Sequence, residues 1–159
     1  MPNFNTNQFN VGGAWGQYCT DKSVNVSINS AGVFYGVAIP FTTFDAWNNN
    51  VYYDNKGMKF INPDLIGSLF FFTLSATFEG AVNDQLGVKF DLYDVNTDVS
   101  EYTLPTIWEG KGGNRWAINH SGILQIKSAN SKLNIFCANF SSTDDFTLSN
   151  LVVTCHKIT

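Results

Sequence analysis

Apolar residues along this chain recur mostly every second position, the period of a strand, and rarely at the three-to-four spacing of a helix face. Ser23–Ile28 (SVNVSI) alternates polar and apolar without a break and runs into Asn29-Ser30-Ala31-Gly32, which predicts a half-buried strand ended by a turn. Gly87–Val95 (GVKFDLYDV) places Val88, Phe90 and Leu92 on one side and Lys89, Asp91 and Tyr93 on the other. Further strand-like segments are Trp15–Thr20, Val33–Phe41 (stopped at Pro40), Val51-Tyr52-Tyr53, Met58–Ile61, Tyr102–Trp108 and Phe146–Ile158. Pro105 inside Tyr102–Trp108 predicts an edge strand or a bulge, because proline cannot donate to a ladder. Ser121–Lys127 and Lys132–Phe140 flank Ser128-Ala129-Asn130-Ser131 and predict a hairpin.

The stretch Val51–Gly80 is the centre of the pattern. A tyrosine pair and Asp54 lead into a turn at Asn55-Lys56-Gly57, and a second turn follows at Asn62-Pro63-Asp64. The longest apolar run, Leu65–Phe72, then predicts a core strand buried on both faces. Phe70, Phe71 and Phe72 are consecutive, so they alternate sides, one side toward a core and the other toward a subunit contact. About nine short strands, no helix and frequent turns predict an all-β fold, a two-sheet antiparallel jelly-roll sandwich. Residues 1–30 read as an N-terminal extended arm or edge strand and a candidate anchor, and residues 31–159 as the jelly-roll domain.

Composition narrows the function. At 159 residues the chain can bury a sizeable core without disulfides. Charged residues make up 14% and the net charge is −4, so no basic stripe exists to neutralise phosphates and nucleic acid is excluded as a partner. No apolar run reaches the ~20 residues of a spanning helix, so no membrane insertion is expected. Met1-Pro2 is followed by polar, Asn-rich sequence, from which no secretory leader is expected. The large neutral surface left by so few charges suits subunit contact.

Candidate chemistry is sparse. Cys19, Cys137 and Cys155 are odd in number, and the last two lie in apolar strands, as buried thiols or, if their strands are neighbours, a disulfide. No Cys/His spacing fits zinc. His156 follows Cys155 directly, which puts the two on opposite strand faces, and His120 lies beside no nucleophile motif. No catalytic residue is assigned. Asp91, Asp94 and the Asp144-Asp145 pair read as turn and edge residues rather than as a glycosidase carboxylate pair. Three glycosylation sequons begin at Asn25, Asn119 and Asn139, a number that chance explains when Asn is this common. The aromatics carry more. Trp47, Asn49, Tyr52, Trp108 and Trp116 lie next to loops and form a candidate ligand-binding set, rings to stack on a sugar and amides to take its hydroxyls.

The sequence resembles the trimeric jelly roll shared by the tumour-necrosis-factor family and the globular heads of complement and collagen-like proteins. Tyr53, Asp54, Phe60, Pro63 and Gly67, followed by Leu69 and Phe71, match its central signature. Ser121-Gly122-Ile123-Leu124-Gln125-Ile126, then Leu133, Ile135 and Cys137, match a later one. Two departures stand against it: Gly67 comes one residue late, and the closing strand lacks a Gly after its first Phe. The resemblance implies a homotrimer with an apolar threefold axis, to which we assign Tyr53, Phe70 and Phe72, and outer loops that recognise a protein or carbohydrate. It implies no cofactor, with calcium at Asp94, Asp98 and Asp144-Asp145 as a lesser alternative. The same jelly roll resembles phage tail-fibre tips and virion spikes, and the Asn-rich neutral composition suits a virion protein assembled in a host cytoplasm better than an extracellular cytokine.

The expected function is therefore a trimeric, non-enzymatic recognition or virion surface protein that binds a host-surface glycan or protein, or other virion proteins. The alternative is a monomeric carbohydrate-binding module of β-sandwich type. A glycan-cleaving enzyme ranks third.

Overall fold

Alternating burial is cleanest on the strand Leu69–Glu79, where every second side chain from Phe70 to Phe78 is enclosed and those between are open or half-open. The computed structural model describes residues 15–20, 22–39, 43–47, 51–54, 57–60, 63–81, 84–97, 99–109 and 114–158. Among these residues the strands are β1 (Trp15–Thr20), β2 (Val24–Val26), β3 (Tyr35–Gly36), β4 (Thr43–Trp47), β5 (Val51–Asp54), β6 (Gly57–Phe60), β7 (Leu69–Glu79), β8 (Gln85–Asp94), β9 (Val99–Glu109), β10 (Arg115–Gln125), β11 (Ser131–Asn139) and β12 (Phe146–Lys157).

The strands form two six-stranded antiparallel sheets, the arrangement of a jelly-roll sandwich. Sheet A runs β10-β7-β12-β1-β4 with β2 also paired to β12, and sheet B runs β5-β6-β11-β8-β9 with β3 also paired to β11. The core lies between the sheets. Phe60 of sheet B meets Phe70 and Phe72 of sheet A edge-on, with ring centroids 5.0 and 5.8 Å apart. Each such pair adds about 0.5–1.5 kcal/mol beyond the area it buries.

Several expectations hold in detail. Asp54 pairs with Gly57, so β5 and β6 are antiparallel neighbours as expected, while Asn55 and Lys56 of the predicted turn lie outside the described residues. Pro105 stands on β9, an edge strand of sheet B paired with β8, the kind of position where proline is tolerated. Others are corrected. The run from Leu65 is not strand until Leu69, because Pro63–Leu65 is a 3-10 turn and Gly67, at φ 87°, turns the chain again. That strand is buried on one face rather than both. The expected hairpin across residues 128–131 does not form: β10 belongs to sheet A and β11 to sheet B, so the connection crosses the sandwich. Residues 15–28, grouped with the arm by the sequence, include β1, which lies inside sheet A between β12 and β4. The rest of the arm, residues 1–14, lies outside the described residues.

Phe70 and Phe72, which the sequence assigns to a subunit interface, are both 0% exposed inside the single chain and belong to its core instead. The outward residue of the trio is Phe71. Cys137 and Cys155 are buried on strands of different sheets and are not joined in a disulfide. Complete burial raises the Cys137 thiol well above its usual range.

Candidate functional site: the outward face of sheet A

Register fixes which residues share the outward face of sheet A. Ile123 on β10 stands opposite Phe71 on β7, Phe71 opposite His156 on β12, His156 opposite Trp15 on β1, and Trp15 opposite Trp47 on β4. By backbone register one row of aromatic, aliphatic and imidazole residues thus crosses the whole sheet; the side chains of Trp15 and Trp47 lie outside the described residues. Phe71 is 37% exposed and Ile123 52%, unusual for residues of this size in mid-strand. Ile158 is exposed too, and its backbone N–H donates to Leu69 O, so it extends the face at the same end.

The neighbouring rows are mostly small and uncharged. The next is Ser121, Thr73, Thr154 and Gln17, and the one after is Asn119, Ser75, Val152 and Cys19. Thr73 and Thr154 tie β7 to β12 through their hydroxyls at 2.6 Å. Past a bulge between Ser149 and Val152, Asn150 adopts a left-handed φ of 51° and donates its amide to Thr77 Oγ1 at 3.3 Å. Charge enters at two places by register: Asp45 on β4, at the end of the Thr73–Thr154–Gln17 row, and the last row, where Arg115 and Glu79, of opposite sign, are register partners.

The outward face of sheet B differs. Lys89 lies over the rings of Phe34 and Phe136, 5.2 and 4.7 Å from their centroids, with its ammonium 3.8 Å from Asp91. Phe140 packs edge-on to Phe34 at 5.7 Å. Gly87 makes room for this cluster: a Cβ there would stand 2.6 Å from Phe140 Cε2.

The sequence-assigned ligand set is spread out. Trp47 lies on β4 and Tyr52 on β5, edge strands that approach each other, whereas Trp108 lies on β9 and Trp116 on β10, the edge strands of the opposite side. By backbone position these four do not make one platform. Tyr53 also lies on β5; its side chain and those of the four ligand-set aromatics fall outside the described residues, as does Asn49 entirely.

The acidic residues support loops. Asp145 accepts the backbone N–H of Ile28 at 2.8 Å and bonds from Asn25 Nδ2 and Ser27 Oγ, which holds its carboxyl below the usual range. Asp94 is lowered chiefly by a bond from the Ser128 side chain, then by the N–H of Asn96. Asp91 accepts the hydroxyl of Ser100. Among the described residues no three His, Cys, Asp or Glu side chains converge as a metal site would require, and Asp98 lies outside them. Asn139, one of the sequon asparagines, is fully buried. Its amide donates to Asp84 Oδ2 at 3.0 Å and also to Ser142 Oγ and Asp144 O. No property of the sequence separates this Asn from the exposed ones. The outward row was missed for a related reason: its members come from five strands, and only the register unites them.

Two sheets in these orders, with the C-terminal strand at the centre of one, define a tumour-necrosis-factor-like jelly roll. The chain is similar in structure to Eiger TNF from S. frugiperda at 10% identity, covering 92% of each chain with a TM-score of 0.58. It is similar to murine APRIL at 8% identity, covering 92% of this chain and 99% of that one with a TM-score of 0.55. A likeness to PRD1 vertex protein P5 is slighter, with a TM-score of 0.49 at 10% identity over 91% of this chain and 94% of that one. No protein-family model matches the chain, and no curated protein matches it by sequence.

Proposed function

We propose that this protein is a homotrimeric, non-enzymatic recognition or virion surface protein whose subunits meet through the outward face of sheet A. The row Ile123–Phe71–His156–Trp15–Trp47, on a face with few charged positions, carries this reading. Exposed apolar area of this kind gains about 25 cal/mol per Å² when covered, and a symmetric contact covers it in every subunit at once. The fold shared with Eiger TNF and APRIL supports the reading. The virion setting rests on composition, with abundant Asn and only 14% charged residues. A host glycan or protein is the partner this reading gives to the surface left outside the trimer, and residues 1–14 are the segment it offers to other virion proteins.

Light scattering on the purified protein tests it. A species of three times 17.6 kDa is expected. A clean monomer at micromolar concentration would overturn the trimer and leave the monomeric carbohydrate-binding module as the better account. A glycan array and a hydrolysis assay on the glycans it retains then separate binding from turnover.

A further inference from the structure

We propose that His156 makes assembly of the trimer pH-dependent, with the subunits associating at neutral pH and separating in mild acid. This rests on the proposed subunit face and adds a control to it.

His156 is exposed in the single chain and occupies the centre of the outward row, with Phe71 and Trp15 as its register partners. It is the one titratable residue in that row. On β7 its neighbours along the face are Leu69 and Thr73, and on β1 Gln17, none of them ionisable. Across the sheet, Ile123, Ser121 and Gln125 on β10 carry no charge either. The nearest charged positions are Lys157, next in the chain and therefore on the other side of β12, and Asp45 on β4, one row along and two strands away. Residues 1–14 contain no ionisable side chain that could serve as a counter-ion.

Covering this row with another subunit takes the imidazole out of water among aromatic and aliphatic groups, and no carboxylate occupies a neighbouring position. Desolvation of that kind disfavours the imidazolium and leaves the neutral ring tolerated. The assembled state then binds fewer protons than the separated one, so linkage makes association strongest at high pH and weakens it as protons bind the free subunits. Threefold symmetry multiplies the effect, because three copies of the residue are covered together. His120, the chain's other histidine, lies inside the sandwich with its ring 4.6 Å from that of Phe90, so it reports on the fold rather than on the contact.

The test compares the wild type with His156→Gln by analytical ultracentrifugation at pH 8 and pH 5, with circular dichroism at both. The wild type should be trimeric at pH 8, and its half-dissociation concentration should rise by roughly tenfold or more at pH 5 with the spectrum unchanged. His156→Gln should associate equally at both. A wild type equally trimeric at both pH values overturns the switch and spares the trimer. An equal pH response in His156→Gln overturns it as well, by placing the response elsewhere. A monomer at pH 8 overturns the proposed function on which the switch rests.

Discussion

Phe71 and Phe72 are neighbours in the chain and point to opposite sides of β7, the first 37% exposed and the second at 0%. Substituting each therefore tests a different level of structure. Phe72→Ala should cost about 3–5 kcal/mol of folding stability, read as a lower urea midpoint, because it leaves a cavity between Phe60, Phe70 and Phe90. Phe71→Asp should leave the melting curve of the subunit nearly unchanged and abolish the trimer in light scattering.

Gly87→Ala should destabilise by about 1–3 kcal/mol although it adds one methyl group. The new carbon would meet Phe140 Cε2 at 2.6 Å and Phe34 Cζ at 3.1 Å, and both rings are already held in the cluster around Lys89. Urea unfolding should show a lower midpoint at an unchanged slope.

Asn139→Ala should cost about 2–3 kcal/mol, since it removes the amide that donates to the buried carboxylate of Asp84 and to the Asp144 carbonyl. The same burial predicts that Asn139 carries no glycan after expression in a glycosylating host, despite its sequon. Peptide mass spectrometry would show otherwise if the side chain were accessible.

Asp145 predicts an acid response that can be assigned to one residue. Its carboxyl is lowered first by the Ile28 N–H and further by Asn25 and Ser27, against the opposing effect of desolvation. A group lowered on folding stabilises above its unfolded value of about 3.9 and loses that contribution as pH falls through the folded value. Melting temperatures should therefore drop between about pH 5 and pH 2 more steeply in the wild type than in Asp145→Asn. Equal slopes would show that the contacts to residues 25–28 do not depend on the charge.

Thiol labelling should distinguish the faces. Cys137 and Cys155 are at 0% exposure and should not react in the native protein, whereas Cys19, half-buried and opposite Val152 on the outward face, should react in separated subunits. In the trimer Cys19 should be protected, and protection should vanish in Phe71→Asp.

Much of the fold was legible because local rules decided it. Alternation in Gly87–Val95, the pairing of β5 with β6 and the edge position of Pro105 each follow from a few adjacent residues. What the chain could not disclose locally was partnership. Ser121–Lys127 and Lys132–Phe140 have the pattern of a hairpin, yet each finds a better partner far away in sequence, β7 for one and β8 for the other. Phe70 and Phe72 show the same limit on a smaller scale. Alternation puts them together and Phe71 apart, but which side meets the second sheet depends on Phe60 and Phe90 opposite. The candidate site is likewise a product of register, since Ile123, Phe71 and His156 come from three separate segments.

β12 lies at the centre of sheet A, between β7 and β1, and follows the other eleven described strands in chain order, so it is made after them. Until it leaves the ribosome, β10-β7 and β1-β4 are two separate ribbons with open edges, each presenting unpaired backbone to any other nascent chain. The outward row, whose central residue belongs to β12, therefore exists only once that strand has joined the sheet. Synthesis itself thus sets the order, with each subunit closed before it can recruit another.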